Sequence, residues 1–199
     1  MLHNIFLETR FNDIARRFGA TGNFATNLGK SNDWEFIIKL CIFTEDVCTD
    51  SLIRHFNDDN LKTWLTKLPL IGGQTGKLPL LKNLKLIDSD DENFIQGIAD
   101  IRNRYAHRIK YADLSLIDYV NSLPNEESKK IKCKFKAATA IIGKDFDSYS
   151  NQSIYWRFAL ETCFVITATK LTQLSGLAQE IDKEHDDFIN LLKDGMKNA

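Results

Sequence analysis

Apolar residues recur at intervals of three and four positions along much of this chain, which is the spacing of one face of an α-helix. The clearest case lies near the middle, where five apolar residues follow this spacing: Phe94, Ile98, Ile101, Tyr105 and Ile109. The pattern predicts a helix from Asp91 to about Ile109, capped by Ser89 or Asp90, with its apolar face against a core. Four polar residues fall on the opposite face: Asp100, Asn103, Arg104 and His107.

The same periodicity predicts helices over most of the remaining chain. They are about Leu2–Phe18, a long helix from the cap Ser31 to about Phe56, Leu61–Leu68, Leu78–Ile87 with Pro79 in its first turn, short helices starting at Asp113 and after Ser122, about Asn151–Leu174, and Leu177–Lys193. Gly19–Gly29 is predicted to be a loop. A chain of 199 residues can bury one substantial core. We therefore expect an all-α fold, a single-domain helical bundle over residues 1–199.

The long predicted helix that ends at Phe56 has apolar residues on more than one side, which is typical of a helix at the centre of a bundle. Its acidic flank, Glu45, Asp46 and Asp50, is by default solvated surface. If this flank faced His107, one of the carboxylates could orient the imidazole.

Composition narrows the function classes without selecting one. The chain has 26 basic and 27 acidic residues, so its net charge of −1 does not indicate nucleic-acid binding, although a local basic surface could still form. No apolar run has the length of a membrane span, and the N-terminus lacks the apolar core of a signal peptide. The spacing of metal ligands is absent from the four cysteines, which are Cys41, Cys48, Cys133 and Cys163. It is also absent from the sequence neighbours Glu184 and His185. We expect a cytoplasmic protein with reduced thiols, no membrane association, no metal and no cofactor.

The segment Gly72-Gly73-Gln74-Thr75-Gly76-Lys77 resembles a phosphate-binding loop only superficially. The Walker pattern requires four residues between its first glycine and the Gly-Lys pair, a Ser or Thr after that pair, and a strand before the loop. Gly72 leaves only three residues, Leu78 follows Lys77, and the preceding segment is predicted to be helical. The sequence therefore predicts a structural turn here.

The helix predicted at residues 91–109 carries the order Arg102-Asn103-x-x-x-His107. This order resembles the R-x4-H signature, often with Asn second, of the HEPN superfamily. The members of that superfamily are small all-α domains, and many of them are metal-independent ribonucleases.

The resemblance extends upstream of the motif. The order of Gly73-Gln74-Thr75-Gly76-Lys77-Leu78, Leu84-Lys85-Leu86-Ile87, an acidic stretch and Ile101 to His107 is similar to the central block of the mannitol operon repressor (MtlR)-like proteins, which are also all-helical. It covers about residues 70–110, roughly a fifth of the chain. The resemblance implies a HEPN-like or MtlR-like helical fold.

The HEPN resemblance implies RNA cleavage in which the ribose 2′-hydroxyl attacks its own phosphodiester. The imidazole of His107 is suited to moving the proton, and the guanidinium of Arg102 to binding phosphate oxygens. Asn103 could orient His107 by a hydrogen bond. A separation of five residues places Arg102 and His107 about 140° apart around one helix. Since family members commonly assemble the site at a dimer interface, we expect a homodimer with C2 symmetry.

Two basic groups are weaker candidates for RNA binding. Arg104 and Arg108 flank His107, and four lysines, Lys129, Lys130, Lys132 and Lys134, fall within a run that ends at Lys136. A run of lysines is usually a solvated helix face, and it would serve as a phosphate footprint only if it lay beside His107. Asp100 and Arg104 could likewise be an ordinary i,i+4 pair.

Three functions stay open at this point. The first is a HEPN-type endoribonuclease, such as a toxin or defence effector, with an RNA substrate and a cognate antitoxin as its protein partner. The second is a non-enzymatic, MtlR-like transcriptional regulator in which Arg102, Asn103 and His107 join helices through buried hydrogen bonds. The third is a helical interaction module. Because all three motif residues are present, RNA cleavage is the favoured hypothesis.

Overall fold

The computed structural model describes residues 2–111, 113–138 and 154–174, and all regular structure in these ranges is helical. The helices are α1 (Leu2–Arg17), α2 (Phe24–Lys30), α3 (Asp33–Phe56), α4 (Asp59–Lys67), α5 (Lys77–Asn83), α6 (Ser89–His107), α7 (Leu116–Asn121), α8 (Asn125–Lys134) and α9 (residues 154–174), with a 3-10 turn at Ile109–Tyr111. The predicted all-α fold is confirmed. The helix predicted at Leu177–Lys193 lies outside the described residues. No helix in the described ranges is long and apolar enough to cross a membrane.

Helix α3 is the centre of the packing, as its two-sided apolar pattern predicts. It packs against α2, α4, α5 and α6, and 12 of its 24 residues are buried. Its cap is Asn32, whose side chain accepts a hydrogen bond from the backbone N–H of Glu35 at 2.8 Å. The prediction of Ser31 as the cap was wrong by one residue, because Ser31 instead ends α2 and donates its hydroxyl to the carbonyl of Leu28.

The loop predicted at Gly19–Gly29 is confirmed for residues 19–23 and wrong for the rest, which belongs to α2. Phe24 on α2 packs its ring 6.1 Å from Phe11 of α1 and 5.5 Å from Phe43 of α3, and Leu28 is 1% exposed. Burial of these two side chains outweighs the poor helix propensity of the nearby glycines.

Helix α6 begins at a capping box formed by Asp88, one residue before the predicted caps Ser89 and Asp90. The Asp88 side chain accepts the backbone N–H groups of Asp90 and Asp91, and the Asp91 side chain accepts that of Asp88. Four of the five predicted apolar-face residues are buried, but Ile109 is 90% exposed. The reason is that the helix ends at His107, and Arg108 turns the chain into an extended conformation before Ile109.

Polar contacts fix α6 against two neighbouring helices. Asp91 is 1% exposed and accepts hydrogen bonds from Thr167 at 2.7 Å and Lys170 at 3.1 Å, both on α9. Along α8, Lys134 binds Asp100 at 2.6 Å and Glu127 binds Arg104 at 2.9 Å. The two helices are also in close contact, because a Cβ at Gly97 would lie 2.7 Å from the ring of Phe135.

Several predicted boundaries shift by a few residues. Helix α5 keeps Pro79 in its first turn, as predicted, but ends at Asn83, since Lys85 adopts a left-handed conformation with a φ of 58°. Helix α7 starts after the cap Ser115 and not at Asp113. The turn predicted at Gly72–Lys77 is confirmed: the Gly72 and Gly76 backbones pack so closely that a Cβ at Gly76 would lie 2.5 Å from the Gly72 nitrogen.

One buried ion pair joins the start of α3 to α7 and α9. Arg157 of α9 donates to Asp33 at 2.5 Å and to the carbonyls of Gly29 and Ser31, and its side chain is 18% exposed. The other oxygen of Asp33 accepts the backbone N–H of Leu116 at 2.6 Å. Removal of one member of such a pair leaves the other charge buried without a partner.

We therefore expect Asp33→Ala to lower the free energy of unfolding by about 3 kcal/mol, as found for broken buried pairs. Urea denaturation measures this change. The matched control is Asp13→Ala, because Asp13 pairs with Arg16 on the surface of α1 and such pairs contribute about 1 kcal/mol or less. An equal, small loss in both variants would contradict the structural role of Asp33.

A second carboxylate in this region is destabilising when it is ionised. Burial raises the pKa of Glu161 on α9 from 4.5 to about 7, the positive charge of Arg157 opposes this change, and the negative charge of Glu8 adds to it. The folded state therefore holds the Glu161 proton more tightly than the unfolded state. The resulting stability is present in full below pH 4.5 and is lost as the pH rises through about 7.

Glu161→Gln should remove this part of the pH dependence. Above about pH 7 the variant should be more stable than the wild type by up to about 3 kcal/mol, and near pH 4 the two should be similar. Thermal unfolding across this pH range measures the difference. The control is Glu126→Gln, because the Glu126 side chain is 80% exposed. This variant should leave the stability unchanged both near pH 4 and above about pH 7. Equal pH profiles for the wild type and Glu161→Gln would refute the assignment.

Candidate functional site

The candidate site occupies the last turns of α6, and Tyr105 fixes the backbone there. The Tyr105 ring is 2% exposed and lies 5.3 Å from the ring of Tyr119. Its hydroxyl donates to the carbonyl of Leu114 at 3.2 Å, and its own carbonyl accepts the indole N–H of Trp34 at 3.3 Å. The end of α6 is therefore held on one side by α3 and on the other by the segment that precedes α7.

Of the three motif residues, Asn103 and His107 lie about 160° from Tyr105 around α6 and point away from this anchored side. Arg102 is half-buried and donates from Nη1 to the side-chain oxygen of Asn103 at 3.0 Å, and Asn103 is exposed. His107 is exposed and makes no hydrogen bond or ion pair with any residue that the structure describes. The predicted hydrogen bond from Asn103 to His107 was wrong, because the Asn103 oxygen faces Arg102 instead.

The motif residues do not join helices. Within the described ranges, neither Arg102, Asn103 nor His107 bonds to another helix, so the buried interhelical bonds expected for a structural motif are not found there. Close to the motif, the residues of α6 that join it to another helix are Asp100 and Arg104. They pair with Lys134 and Glu127 of α8, and not with each other as the i,i+4 spacing predicts.

The acidic flank of α3 binds other partners than His107. Glu45 pairs with the buried Lys77 at 2.6 Å, which ties the glycine turn to α3, and Asp50 pairs with Arg54 at 2.7 Å. Arg102 does lie near α3, since its charge lowers the pKa of the Cys41 thiol. Burial has the larger effect and raises that pKa to about 11, so this thiol is inert at neutral pH.

The lysine run reaches α6, but much of its charge is neutralised. Lys134 binds Asp100, Lys129 lies 3.6 Å from Glu126, and Lys136 lies 3.6 Å from Asp90. Lys130 is exposed, and Lys132 has a contact of its own. This pattern is that of an ion-paired helix face, so the run adds little to a phosphate site.

A group of cations just after His107 is more prominent than the sequence indicates. Arg108 and Lys110 are exposed and have no carboxylate partner among the described residues. The Lys110 Nζ lies 4.6 Å from the centre of the Tyr111 ring. The neighbouring cations Lys110 and Arg108 lower the pKa of the Tyr111 hydroxyl. The end of α6 therefore presents an imidazole, a guanidinium and an ammonium to solvent, next to the buried Tyr111.

Two residues near the end of α6, Trp34 and Tyr111, are missing from the site predicted from sequence. Tyr111 follows the motif by only four residues, and the density of basic residues from 102 to 110 could have indicated it. Trp34 precedes Tyr105 by 71 residues, and no local pattern connects the two. Across the described ranges, no three His, Cys, Asp or Glu side chains are grouped so as to bind a metal ion.

Comparison with known proteins adds no relative. No protein-family model, no curated protein and no solved structure matches this chain. The resemblance of residues 70–110 to the HEPN and MtlR-like proteins therefore stays an expectation, and the functional argument is based on the side chains at the end of α6.

Proposed function

We propose that this protein is an endoribonuclease that cleaves RNA with His107 and Arg102, without a metal ion. The observation that carries the proposal is that these two side chains have no structural task among the described residues. In the described part of the chain, Arg102 bonds only to its neighbour Asn103, and the exposed His107 has no partner. An imidazole and a guanidinium in this state are available for proton transfer and anion binding.

The proposed reaction is an internal transesterification of RNA. The neutral imidazole of His107 takes the proton of the ribose 2′-hydroxyl, the 2′-oxygen forms a bond to phosphorus, and the bond from phosphorus to the 5′-oxygen breaks. A protonated group returns a proton to the leaving 5′-oxygen. Arg102 stabilises the charge that develops on the phosphate oxygens. The products are a 2′,3′-cyclic phosphate and a 5′-hydroxyl.

A second copy of the chain would complete this site. Arg102 and His107 lie about 140° apart around α6, so one helix does not direct both at one phosphate. A twofold axis at the end of α6 would place His107 of each copy near Arg102 of the other, and would supply both the base and the acid. Ile109, 90% exposed beside His107, supplies an apolar contact for such an interface.

We expect His107→Ala to lower the rate of RNA cleavage in EDTA by about 10²- to 10⁴-fold, the usual contribution of a general base. Arg102→Ala should cause a loss of similar size. Neither change should alter the free energy of unfolding by more than about 0.5 kcal/mol, since neither side chain bonds to another helix within residues 2–111, 113–138 and 154–174. The assay follows a mixed RNA pool, and Arg16→Ala on α1 is the control for loss of a surface arginine.

The cleavage rate and the free energy of unfolding, measured on the same variants, separate the competing functions. Unchanged cleavage in His107→Ala, with the fold intact, would overturn the assignment. Absence of cleavage by every form of the protein would turn attention to a regulator or interaction module that acts through protein partners.

We expect Ile109→Asp to convert the dimer to a monomer and to abolish cleavage, because a charge would then lie in the apolar contact. Light scattering coupled to size exclusion measures the mass, and the RNA assay measures turnover. Ile42→Asp, at a 53% exposed isoleucine of α3, should leave both unchanged. A fully active monomeric Ile109→Asp variant would show that one chain suffices.

A further inference from the structure

A groove lies directly beside the anchored end of α6. It has a volume of about 550 Å³ and is lined by Trp34, Asp113, Leu114, Ser115, Ile154 and Arg157, among others. Two of its charged residues are paired with each other, because Arg157 neutralises Asp33 and also donates to two backbone carbonyls. The groove therefore offers a ligand the exposed surface of its aromatic and aliphatic side chains, together with the exposed Asp113.

Trp34 is the distinctive member of this groove. Its indole N–H is bound to the Tyr105 carbonyl at 3.3 Å, which fixes the ring against α6, yet the residue is 38% exposed. Ile154, 68% exposed, lines the same groove. A tryptophan that is held in place and partly exposed is the group that stacks on a nucleic-acid base, and it loses little conformational entropy when it does so.

The cations that follow His107 are close along the chain to the residue that holds this ring. Tyr105 binds Trp34, and three residues of chain span at most about 10 Å, which limits the distance to the Arg108 backbone. Arg108 and Lys110 are exposed and have no carboxylate partner in the described part of the chain. Residues 107–113 contain Arg108 and Lys110 against the single acid Asp113, so the local charge is positive.

We propose that the substrate is single-stranded RNA, in which one unpaired base stacks on Trp34 while its phosphate binds Arg108 and Lys110. This inference rests on the proposed function, since it places that phosphate next to His107. Bases in a duplex are stacked on each other, and an A-form helix exposes its backbone and shallow groove but no free base face. Trp34 would thus select against double-stranded RNA. Ile109, the proposed dimer contact, does not line the groove.

The test measures binding independently of cleavage. Its probe is a fluorescently labelled single-stranded oligonucleotide that carries 2′-O-methyl groups throughout, because this RNA has no 2′-hydroxyl and cannot be cut. We expect Trp34→Ala to weaken binding about tenfold, the usual effect of removing one stacking aromatic. Trp34→Phe should retain most of the affinity, which guards against a folding defect as the cause. Arg108→Ala and Lys110→Ala should each reduce the slope of log affinity against log salt concentration by about one, because each removes one phosphate contact.

Trp64 supplies a matched control. It is 53% exposed on α4, which follows the opposite end of α3, a helix of 24 residues. Trp64→Ala should therefore leave RNA binding unchanged. In a Trp64→Phe background, the single-stranded probe should quench tryptophan fluorescence, since Trp156 is fully buried, and a blunt RNA duplex of the same sequence should not.

The outcomes for binding and for cleavage can be told apart. Equal affinity of the wild type and Trp34→Ala for the probe, or equal affinity of the wild type for single strand and duplex, would overturn the inference even if RNA is cleaved. Binding that depends on Trp34 without any cleavage of unmodified RNA would support the stacking site and refute the proposed nuclease.

Discussion

The anchoring of Tyr105 determines where every candidate functional group lies. Its ring is buried against Tyr119, its hydroxyl binds the Leu114 carbonyl, and its carbonyl binds Trp34. Burial raises the pKa of this hydroxyl, so it stays protonated and keeps donating its hydrogen bond. One residue thereby fixes the end of α6, the Trp34 ring and the chain before α7 relative to each other. Such a rigid support is what a site needs in order to hold its reactive groups in position.

The polar residues of α6 divide into two groups with different tasks. Asp91, Asp100 and Arg104 bind α8 or α9. Loss of Asp100 or Arg104 would remove the observed counter-charge of its partner on α8, and loss of Asp91 would remove the acceptor of the buried Thr167 hydroxyl. Arg102, Asn103 and His107 have no such partner on another helix in the described ranges. Functional sites usually contain polar side chains that a rigid part of the fold holds in position but that do not themselves stabilise the fold. This division is the physical basis for assigning chemistry to the motif rather than stability.

Sequence reasoning predicts the helices well and their long-range contacts poorly. The apolar spacing locates α1, α3, α6 and α9 and the central place of α3, because burial of one face dominates helix formation. It misses α2, which is stabilised by the contacts of Phe24 with Phe11 and Phe43. It extends the apolar face of α6 to Ile109, since spacing alone does not show that the helix ends at His107. It also pairs Asp100 with Arg104, whereas α8 supplies a closer partner for each.

The site is predictable to a similar degree. The local order of Arg102, Asn103 and His107 can be read from the chain, but the Trp34 contact and the ion pairing of the lysine run depend on how distant segments pack. The central claim, that the motif cleaves RNA through the 2′-hydroxyl, is tested most directly by the ends of the products. After incubation of single-stranded RNA with the purified protein in EDTA, mass spectrometry should find 2′,3′-cyclic phosphates and 5′-hydroxyls. Intact RNA, or fragments with 5′-phosphates and 3′-hydroxyls, would contradict it.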